Sequence, residues 1–338
     1  MSDQCFDVRI AGSDVVFRCA RGDNLLRAGL RAGVGLPYEC NAGGCGSCKF
    51  ELVSGEVDEL WPDAPGLGAK DRQRGRKLAC QCVPRSDCEL RIRAAAEYVP
   101  AIVPRRFDVE FVARRPVTVD IDELRFRGDA PARFLPGQYA LLELPGVGHS
   151  RAYSMSNAAN DDGHWCFMVR RVSGGRVSNA LFDVLRPGDV ARLDAPLGLA
   201  HWRDGVPRDT VCIAGGSGLA PMIAVANAAS ARTDCRQATW LFYGGRGPAD
   251  MPDLPAWLAT PERVLLRSAV SVGELADAAQ WTGERGYVHE LVGRCLGDGL
   301  TAHEYYLAGP PPMIETTVRM LMLEHRVPAA QIHYDRFF

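Results

Sequence analysis

Hydrophobic and polar positions alternate in short runs over the first hundred residues. From Val8 to Cys19, apolar side chains recur at every second position on either side of Gly12–Ser13, which predicts a β-hairpin. Asp23 precedes the apolar segment Leu25–Leu30, so we expect it to cap a short helix. Further strands are predicted at residues 50–53, ended by a Ser-Gly turn, and at residues 90–92.

The pattern between residues 107 and 205 predicts an all-β unit. Its strand-like runs are short and are separated by turn pairs such as Gly128–Asp129 and Pro187–Gly188. Many short strands with regular turns indicate a small antiparallel barrel. Pro100 and Pro104 break regular structure just before it and mark a linker over residues 98–106. The predicted strands are residues 107–112, 117–126, 139–144, 165–169 and 190–193.

The last third of the chain alternates between strand and helix patterns. Thr210–Ala214 is a continuous apolar run typical of a buried strand, and Leu219–Ala231 follows with a helical pattern. Such alternation predicts a parallel sheet with helices on both faces. Further strands are expected at residues 239–243, 263–269 and 305–308, and a helix at residues 313–326.

The three patterns together predict a multidomain chain. We place an α+β unit at residues 1–98, an antiparallel β-barrel at residues 104–205 and an α/β unit with a parallel sheet at residues 206–338.

Composition and charge exclude several classes of function. The 338 residues carry a net charge of −2, so nothing points to nucleic acid or to an anionic membrane surface. The start of the chain lacks the basic and apolar regions of a signal peptide, and no apolar stretch is long enough to span a membrane. We therefore expect a cytosolic protein, a monomer, whose twelve cysteines are mostly reduced thiols.

Candidate metal chemistry is concentrated in one cysteine cluster. Cys40, Cys45 and Cys48 follow the spacing C-x4-C-x2-C, and Cys80 comes later in the chain. This is the plant-type spacing for a 2Fe-2S cluster. The alternative is a zinc site, which usually pairs C-x2-C with a second close pair, and Cys80 with Cys82 matches that poorly.

The segment Pro37–Cys48 resembles the ferredoxin loop of oxygenase reductases, among them the NADH reductase components of toluene monooxygenases. Residues 60–67, 151–154 and 335–338 support the same resemblance, which runs over nearly the whole chain. It implies a β-grasp ferredoxin domain, an FAD-binding barrel and an NAD-binding domain. The family segment Leu78–Gln81 identifies Cys80 as the fourth iron ligand, with Cys82 as a bystander.

A flavin site is predicted from three stretches of the barrel unit. Arg151-Ala152-Tyr153-Ser154 matches the R-x-Y-S flavin motif of the ferredoxin–NAD(P) reductase family. A guanidinium pairs well with pyrophosphate, and a tyrosine ring can stack on a flavin. By itself the motif also fits an ordinary strand with an exposed arginine. The turn at residues 134–139 and the second motif, Gly174–Ser178, strengthen it, with Gly175, Val177 and Ser178 expected near the pyrophosphate.

A nicotinamide site is predicted where the apolar strand joins its helix. Gly215, Gly216 and Gly218 allow close approach of a phosphate, and Pro221 lies in the first helical turn. This is the family's variant and not the G-x-G-x-x-G fingerprint. Tyr243 ends the next strand, where Arg246 favours NADPH and Asp250 favours NADH; the resemblance favours NADH. Gly309 and Pro310 complete the site, although Ala308 replaces the usual family cysteine.

The resemblance implies an electron-transfer enzyme. NADH would reduce FAD, FAD a 2Fe-2S cluster, and the cluster a Rieske-type ferredoxin that serves a di-iron aromatic hydroxylase. Two alternatives remain: a reductase of a ring-hydroxylating dioxygenase, and a redox sensor without turnover. A terminal aromatic residue covers the flavin in the family. The positions expected to take part in catalysis are Tyr153, Ser154, Asp335 and Phe338.

Overall fold

The computed structural model describes residues 4–148, 150–233, 236–271 and 281–337. Its Cα positions divide into two compact units. The first comprises Met1–Arg105 together with Pro196–Leu199, and the second comprises Arg106–Ala195 and Ala200–Phe338. Of the helices in the described ranges, none combines the length and the hydropathy that a membrane span requires.

The first unit is a mixed sheet packed against a short helix, as expected for a β-grasp ferredoxin domain. Its main sheet has the order β2-β1-β7-β3-β5, and β4 pairs separately with β6. β1 pairs with β2 in antiparallel register and with β7 in parallel register, the arrangement that places the first hairpin beside a later strand. The elements are β1 (Cys5–Ile10), β2 (Val16–Ala20), α1 (Leu25–Arg31), β3 (Lys49–Ser54), β4 (Val57–Glu59), α2 (Ala69–Gln73), β5 (Arg76–Leu78), β6 (Cys82–Pro84) and β7 (Cys88–Arg91).

Helix α1 begins one residue later than the sequence suggested. Asn24, not Asp23, is its N-cap, because Asn24 Oδ1 accepts from the N–H of Arg27 at 2.9 Å. The Asp23 carboxylate instead accepts from the N–H of Asn24 and pairs with Arg31. The predicted cap was therefore wrong, although the apolar positions Leu25, Leu26 and Leu30 are buried as expected.

The barrel unit is formed by a six-stranded sheet among the described residues, in the order β11-β10-β13-β8-β9-β12. A β-bridge between Met155 and Phe167 joins the two ends of that order, so the barrel is nearly closed. Its interior is filled by aromatic and aliphatic side chains from every strand. The elements are β8 (Arg105–Pro116), β9 (Ile121–Arg127), β10 (Tyr139–Glu143), β11 (Arg151–Ser154), β12 (His164–Arg170), α3 (Arg176–Asp183) and β13 (Val190–Leu197).

The hairpin between β8 and β9 differs from the predictions, and β13 extends four residues past its predicted end at residue 193. β8 extends to Pro116, well beyond residue 112, whereas β9 begins only at Ile121. Residues 117–120 form the turn between them, in which Thr118 Oγ1 hydrogen-bonds Asp120 at 3.2 Å. The apolar Val117 and Val119 suggested a strand, but a tight hairpin needs these positions for its turn.

The α/β unit has a sheet in the order β17-β16-β15-β14-β18-β19 within the described residues, and its pairings are parallel. The side chains of β14 alternate between two apolar cores, with Cys212 and Ala214 facing α4 and Val211 and Ile213 facing α5 and α6. The elements are β14 (Asp209–Gly215), α4 (Leu219–Ala231), β15 (Thr239–Gly245), β16 (Val264–Val270), β17 (Glu284–Arg285), α5 (Val288–Leu296), β18 (His303–Gly309), α6 (Pro311–Arg319) and β19 (Ile332–Arg336).

The C-terminal part of this unit departs from the predictions twice. The helix expected at residues 313–326 is α6 followed by a π-helical turn, Met320–Glu324. β19 was not among the predicted strands, and its residues Asp335 and Arg336 pair with Ala308 and Gly309 of β18.

Candidate functional site

The cysteine loop brings two of its thiols into direct contact. Cys40 Sγ donates to Cys45 Sγ at 3.3 Å. The backbone N–H groups of Ala42 and Cys45 point at Cys40 Sγ, and that of Ser47 points at Cys45 Sγ. The hydrogen bond from Cys40 lowers the pKa of the Cys45 thiol to about 5, and the same contact raises that of Cys40. Such N–H donors stabilise negative charge on sulfur, which is the form that binds metal.

A second thiol pair is formed by Cys48 and Cys80, both almost fully buried. Cys80 lies in a single 3-10 turn, Ala79–Gln81, anchored because the N–H of Ala79 donates to the Cys48 carbonyl at 3.0 Å. The hydrogen bond from Cys48 lowers the pKa of Cys80, and the backbone N–H of Gly43 contributes in the same direction. The charge of Cys45 acts on both sulfurs of this pair.

The thiols are therefore arranged as two contacting pairs. Among the residues that the structure describes, no three His, Cys, Asp or Glu side chains converge as ligands of one metal ion. A single zinc ion needs four ligands around one point. A 2Fe-2S cluster instead takes two ligands on each of two irons, so the donor set fits the cluster better than zinc.

Cys82 has a different environment from Cys80. It is the first residue of β6 and is paired with Glu59 of β4, whereas Cys80 lies in the preceding 3-10 turn. Cys82 is fully buried, and this burial raises its pKa to about 12.

A segment that we call the strap, Leu60–Leu67, lies against the cysteine loop. Its first residue donates to the carbonyl of Gln81 at 2.8 Å, and the N–H of Gly66 donates to the carbonyl of Gly43 at 2.8 Å. Arg72 holds the middle of the strap through the carbonyls of Pro62 and Ala64. The loop and the strap meet backbone to backbone, which requires glycine at the contact.

The predicted flavin strand is β11, paired with β10 so that Ser154 lies opposite Tyr139 and Tyr153 opposite Ala140. Arg151 is exposed, Tyr153 is half-buried against the barrel core, and Ser154 is 5% exposed. Burial raises the pKa of the Tyr153 hydroxyl. The strand thus presents a cation at its start and an aromatic ring beside a buried hydroxyl at its end.

The second flavin stretch begins helix α3, with Gly175 as the N-cap. The Ser178 hydroxyl donates to the Gly175 carbonyl and accepts from the N–H of Val172, each at 3.3 Å. Val177 points into the barrel core. Both side chains serve the local fold here, so a phosphate at this helix start would meet backbone N–H groups first.

The glycine turn after β14 joins three chain segments closely. A Cβ added to Gly218 would lie 2.1 Å from the carbonyl oxygen of Ala308, and one added to Gly309 would lie 3.0 Å from that of Gly215. Gly216 has φ +58, in the left-handed region. Helix α4 starts at this turn, with Pro221 in its first turn, so its N-terminal N–H groups face the ends of β14 and β18.

The remaining predicted residues surround this turn. Tyr243 is fully buried, and its hydroxyl donates to the carbonyl of Asp250 at 3.1 Å, so its ring belongs to the core. Pro310 is the N-cap of α6. Asp335 is 9% exposed and pairs with Ala308, and the N–H of Phe337 donates to the Gly309 carbonyl at 2.9 Å. Phe338 lies outside the described residues.

Three family models match successive parts of the chain. Residues 8–85 match the 2Fe-2S iron-sulfur cluster binding domain, residues 108–202 the oxidoreductase FAD-binding domain, and residues 212–319 the oxidoreductase NAD-binding domain.

Relatives of the same length are similar over almost the whole chain. The ferredoxin–NAD(P)(+) reductase CarAd of Metapseudomonas resinovorans is 44% identical over 95% of this chain and 96% of its own. The xylene/toluene monooxygenase electron transfer component XylA of Pseudomonas putida is 32% identical over 98% and 93%. The solved structure of the ferredoxin reductase in carbazole 1,9a-dioxygenase superposes with a TM-score of 0.92 at 41% identity, covering 99% of both chains.

Proposed function

We propose that this chain, which belongs to the ferredoxin–NAD(P) reductases of oxygenase systems, passes electrons from NADH through FAD and a 2Fe-2S cluster to a Rieske-type ferredoxin. The observation that carries the proposal is the arrangement of four thiols in two contacting pairs, in a chain that also has FAD-binding and NAD-binding domains. We assign the 2Fe-2S cluster to residues 1–98, FAD to residues 104–205 and NADH to residues 206–338.

In the first unit, Cys40 and Cys45 would hold one iron and Cys48 and Cys80 the other. The backbone N–H groups of the loop donate to these sulfurs and stabilise their negative charge. The strap is hydrogen-bonded to the loop through Gly66 and Gly43. Both features favour a cluster that accepts an electron readily and keeps its iron.

When bound, FAD takes two electrons together from NADH and releases them singly, as a one-electron cluster requires. Arg151 would pair with the pyrophosphate, Tyr153 would lie on the flavin ring, and Ser154 would hydrogen-bond the ring nitrogen that receives the hydride. The start of α3, at Gly175, Val177 and Ser178, would supply backbone N–H groups to the pyrophosphate.

For the nicotinamide nucleotide, Gly215, Gly216 and Gly218 let the diphosphate approach the start of α4, where Pro221 shapes the first turn. Gly309 and Pro310 would lie beside the nicotinamide. The ring of Tyr243 is in the core, so this residue would contribute by shaping the strand end. Asp335, which pairs with Ala308 at the end of β18, and the terminal Phe338 are proposed to take part in catalysis.

The oxygenase that receives the electrons is proposed to be a di-iron aromatic monooxygenase that acts on toluene-like substrates. The likeness to the xylene/toluene component supports this choice. The second candidate is a reductase that serves a ring-hydroxylating dioxygenase, and the likeness to the ferredoxin reductase in carbazole 1,9a-dioxygenase supports it. A redox sensor without turnover is the third candidate, and steady NADH oxidation with an artificial acceptor would exclude it.

The Cys45→Ser variant tests the proposed route. We expect it to lose the cluster but keep FAD, so NADH-driven ferricyanide reduction should persist while ferredoxin reduction collapses. Cys295→Ser, in α5 of the other unit, is the matched control and should retain both activities. Normal iron content and normal ferredoxin reduction in Cys45→Ser would contradict the ligand assignment.

Assays with purified partners separate the two oxygenase candidates. The unmodified chain is supplied with NADH and with either a Rieske-type or a plant-type ferredoxin, and then with a di-iron hydroxylase or a ring-hydroxylating dioxygenase. Faster reduction of the Rieske-type protein and product formation by the hydroxylase are expected. Coupling to the dioxygenase alone would establish the second candidate.

A further inference from the structure

Two arginine and two aspartate side chains lie close together beside the glycine turn of the α/β unit. Arg246 directly follows β15, whose Gly244 pairs with Gly215 of β14, so it stands at the carboxyl ends of two neighbouring parallel strands. Arg170, at the end of β12, lies against the turn, since a Cβ added to Gly216 would be 3.0 Å from its Nη1. In open α/β sheets, the crevice at the carboxyl ends of the strands receives the dinucleotide.

Arg246 is held by Asp250 through two parallel hydrogen bonds. The Nε–Oδ2 distance is 2.8 Å and the Nη2–Oδ1 distance is 3.0 Å, and the backbone N–H of Arg246 donates to Oδ2 at 3.1 Å. Asp250 is 7% exposed and is the last residue of a 3-10 turn, Pro248–Asp250. The backbone carbonyl of Asp250 accepts a hydrogen bond from the Tyr243 hydroxyl. The carboxylate therefore has a fixed position, and the guanidinium is oriented by it.

The surrounding charges are balanced. Asp120 accepts from Arg170 Nε at 2.8 Å and lies 3.5 Å from Arg246 Nη2, and Arg170 Nη2 lies 3.8 Å from Asp250. Two arginines thus face two aspartates. Burial favours the neutral form of Asp250, but its hydrogen bonds from Arg246 outweigh this and lower its pKa, so it is ionised at neutral pH. The group has no surplus positive charge.

A 2′-phosphate would need such a surplus. Enzymes that prefer NADPH use an arginine near the adenosine ribose to bind it, whereas a carboxylate there suits the 2′-hydroxyl of NADH. Here the arginine is present, but one edge of its guanidinium bonds Asp250, and that carboxylate balances its charge. A 2′-phosphate beside Arg246 would bring a further negative charge next to Asp250 and Asp120, and the two arginines would no longer balance the anions around them.

We propose that Asp250 sets the coenzyme preference of this chain by pairing with Arg246 and neutralising its charge, so that NADH is used in preference to NADPH. This inference rests on the proposed function. It implies that Arg246 could bind the 2′-phosphate of NADPH once the charge of Asp250 is removed.

The test compares kcat/KM for NADPH with that for NADH, with ferricyanide as acceptor. Asp250→Asn keeps the shape of the side chain and removes its charge, so the NADPH/NADH ratio should rise by about 10- to 100-fold, the effect of one charge-assisted hydrogen bond. The double variant Asp250→Asn/Arg246→Ala should lose that gain, because the gain requires the freed arginine. Asp253→Asn, an exposed aspartate three residues along the chain, is the matched control.

A ratio in Asp250→Asn within threefold of the unmodified chain would overturn the proposal, as would an equal gain in Asp253→Asn or a gain that survives in the double variant. The unmodified holoenzyme gives an independent test. We expect 2′,5′-ADP to inhibit NADH oxidation no more strongly than 5′-AMP, and a clearly stronger effect of 2′,5′-ADP would refute the proposal.

Ferricyanide reduction reports the FAD and nucleotide sites without the cluster or a ferredoxin. A chain that oxidises NADH but reduces no ferredoxin would refute the proposed acceptor and still give a readable coenzyme ratio. The two failures are therefore distinguishable.

Discussion

The contact between the strap and the cysteine loop can be tested at Gly46. Its φ is +77, and a Cβ added there would lie 2.4 Å from the carbonyl oxygen of Gly66 and 3.0 Å from Lys49 Cε. The lysine side chain can move, but the carbonyl belongs to the backbone of the strap. An ordinary contact is about 3.5 Å, so in Gly46→Ala the strap has to retreat by roughly 1 Å.

Gly75→Ala is the matched control for this substitution. Its φ is +68, and an added Cβ would have open space around it, so it experiences only the left-handed strain of about 1–2 kcal/mol. Gly46→Ala adds overpacking, worth about 1–3 kcal/mol, which includes weakening of the hydrogen bond from Gly66 to Gly43. The excess over the control is therefore about 1–3 kcal/mol, or roughly 5- to 150-fold in an opening equilibrium.

The assay is the loss of visible cluster absorbance in excess iron chelator. If the cluster leaves when loop and strap separate, Gly46→Ala should release iron faster than the unmodified chain by the factor above, and Gly75→Ala should remain close to the unmodified chain. Equal release rates for the two variants would show that the contact between strap and loop does not control the loss of iron. The 2.4 Å approach at Gly46 would then have no effect on cluster retention.

Three further predictions concern single side chains. Cys80→Ser should abolish the visible spectrum of the cluster, whereas Cys82→Ser should preserve it; the reverse result would show that the wrong sulfur was chosen. Arg151→Ala should cost about 2 kcal/mol in FAD binding, roughly 30-fold in affinity; FAD fluorescence after dilution measures this, and full retention would contradict the role. Burial lowers the pKa of His201 to about 4, so protonation of the unfolded state favours unfolding as the pH falls from about 6.5 towards 4. His201→Asn should therefore show a smaller drop in thermal midpoint between about pH 7 and pH 5 than the unmodified chain, and an equal drop would argue against it.

The buried elements of the fold could be predicted from the sequence because their side chains have no alternative environment. The prediction for residues 210–214 lies within β14, and α4 has the predicted limits Leu219–Ala231. Predictions failed where polar groups compete at element ends, as with Asp23 and Asn24 at the start of α1. They also failed at residues 117–120, where the hairpin geometry overrides the preference of valine for strands.

The spacing of the cysteines identified the candidate ligands, but not how they pair. The pairing depends on the return of the chain at Ala79–Gln81, and the strap depends on a contact between residues 43 and 66. Neither leaves a local pattern in the sequence. Arg246 and Asp250 were both recognised as coenzyme signals, yet only the structure shows that they bond each other.

The strand order of the sheet in the α/β unit affects how the chain can fold while it is being synthesised on the ribosome. β14 is central, and β15 and β16 add to one side of it as they emerge, but its other neighbour, β18, is separated from it by nearly ninety residues. Until β18 is made, one edge of this buried strand has no partner, and such an edge promotes aggregation. Truncated versions meant to isolate the flavin barrel should therefore end before Asp209, and not inside the sheet.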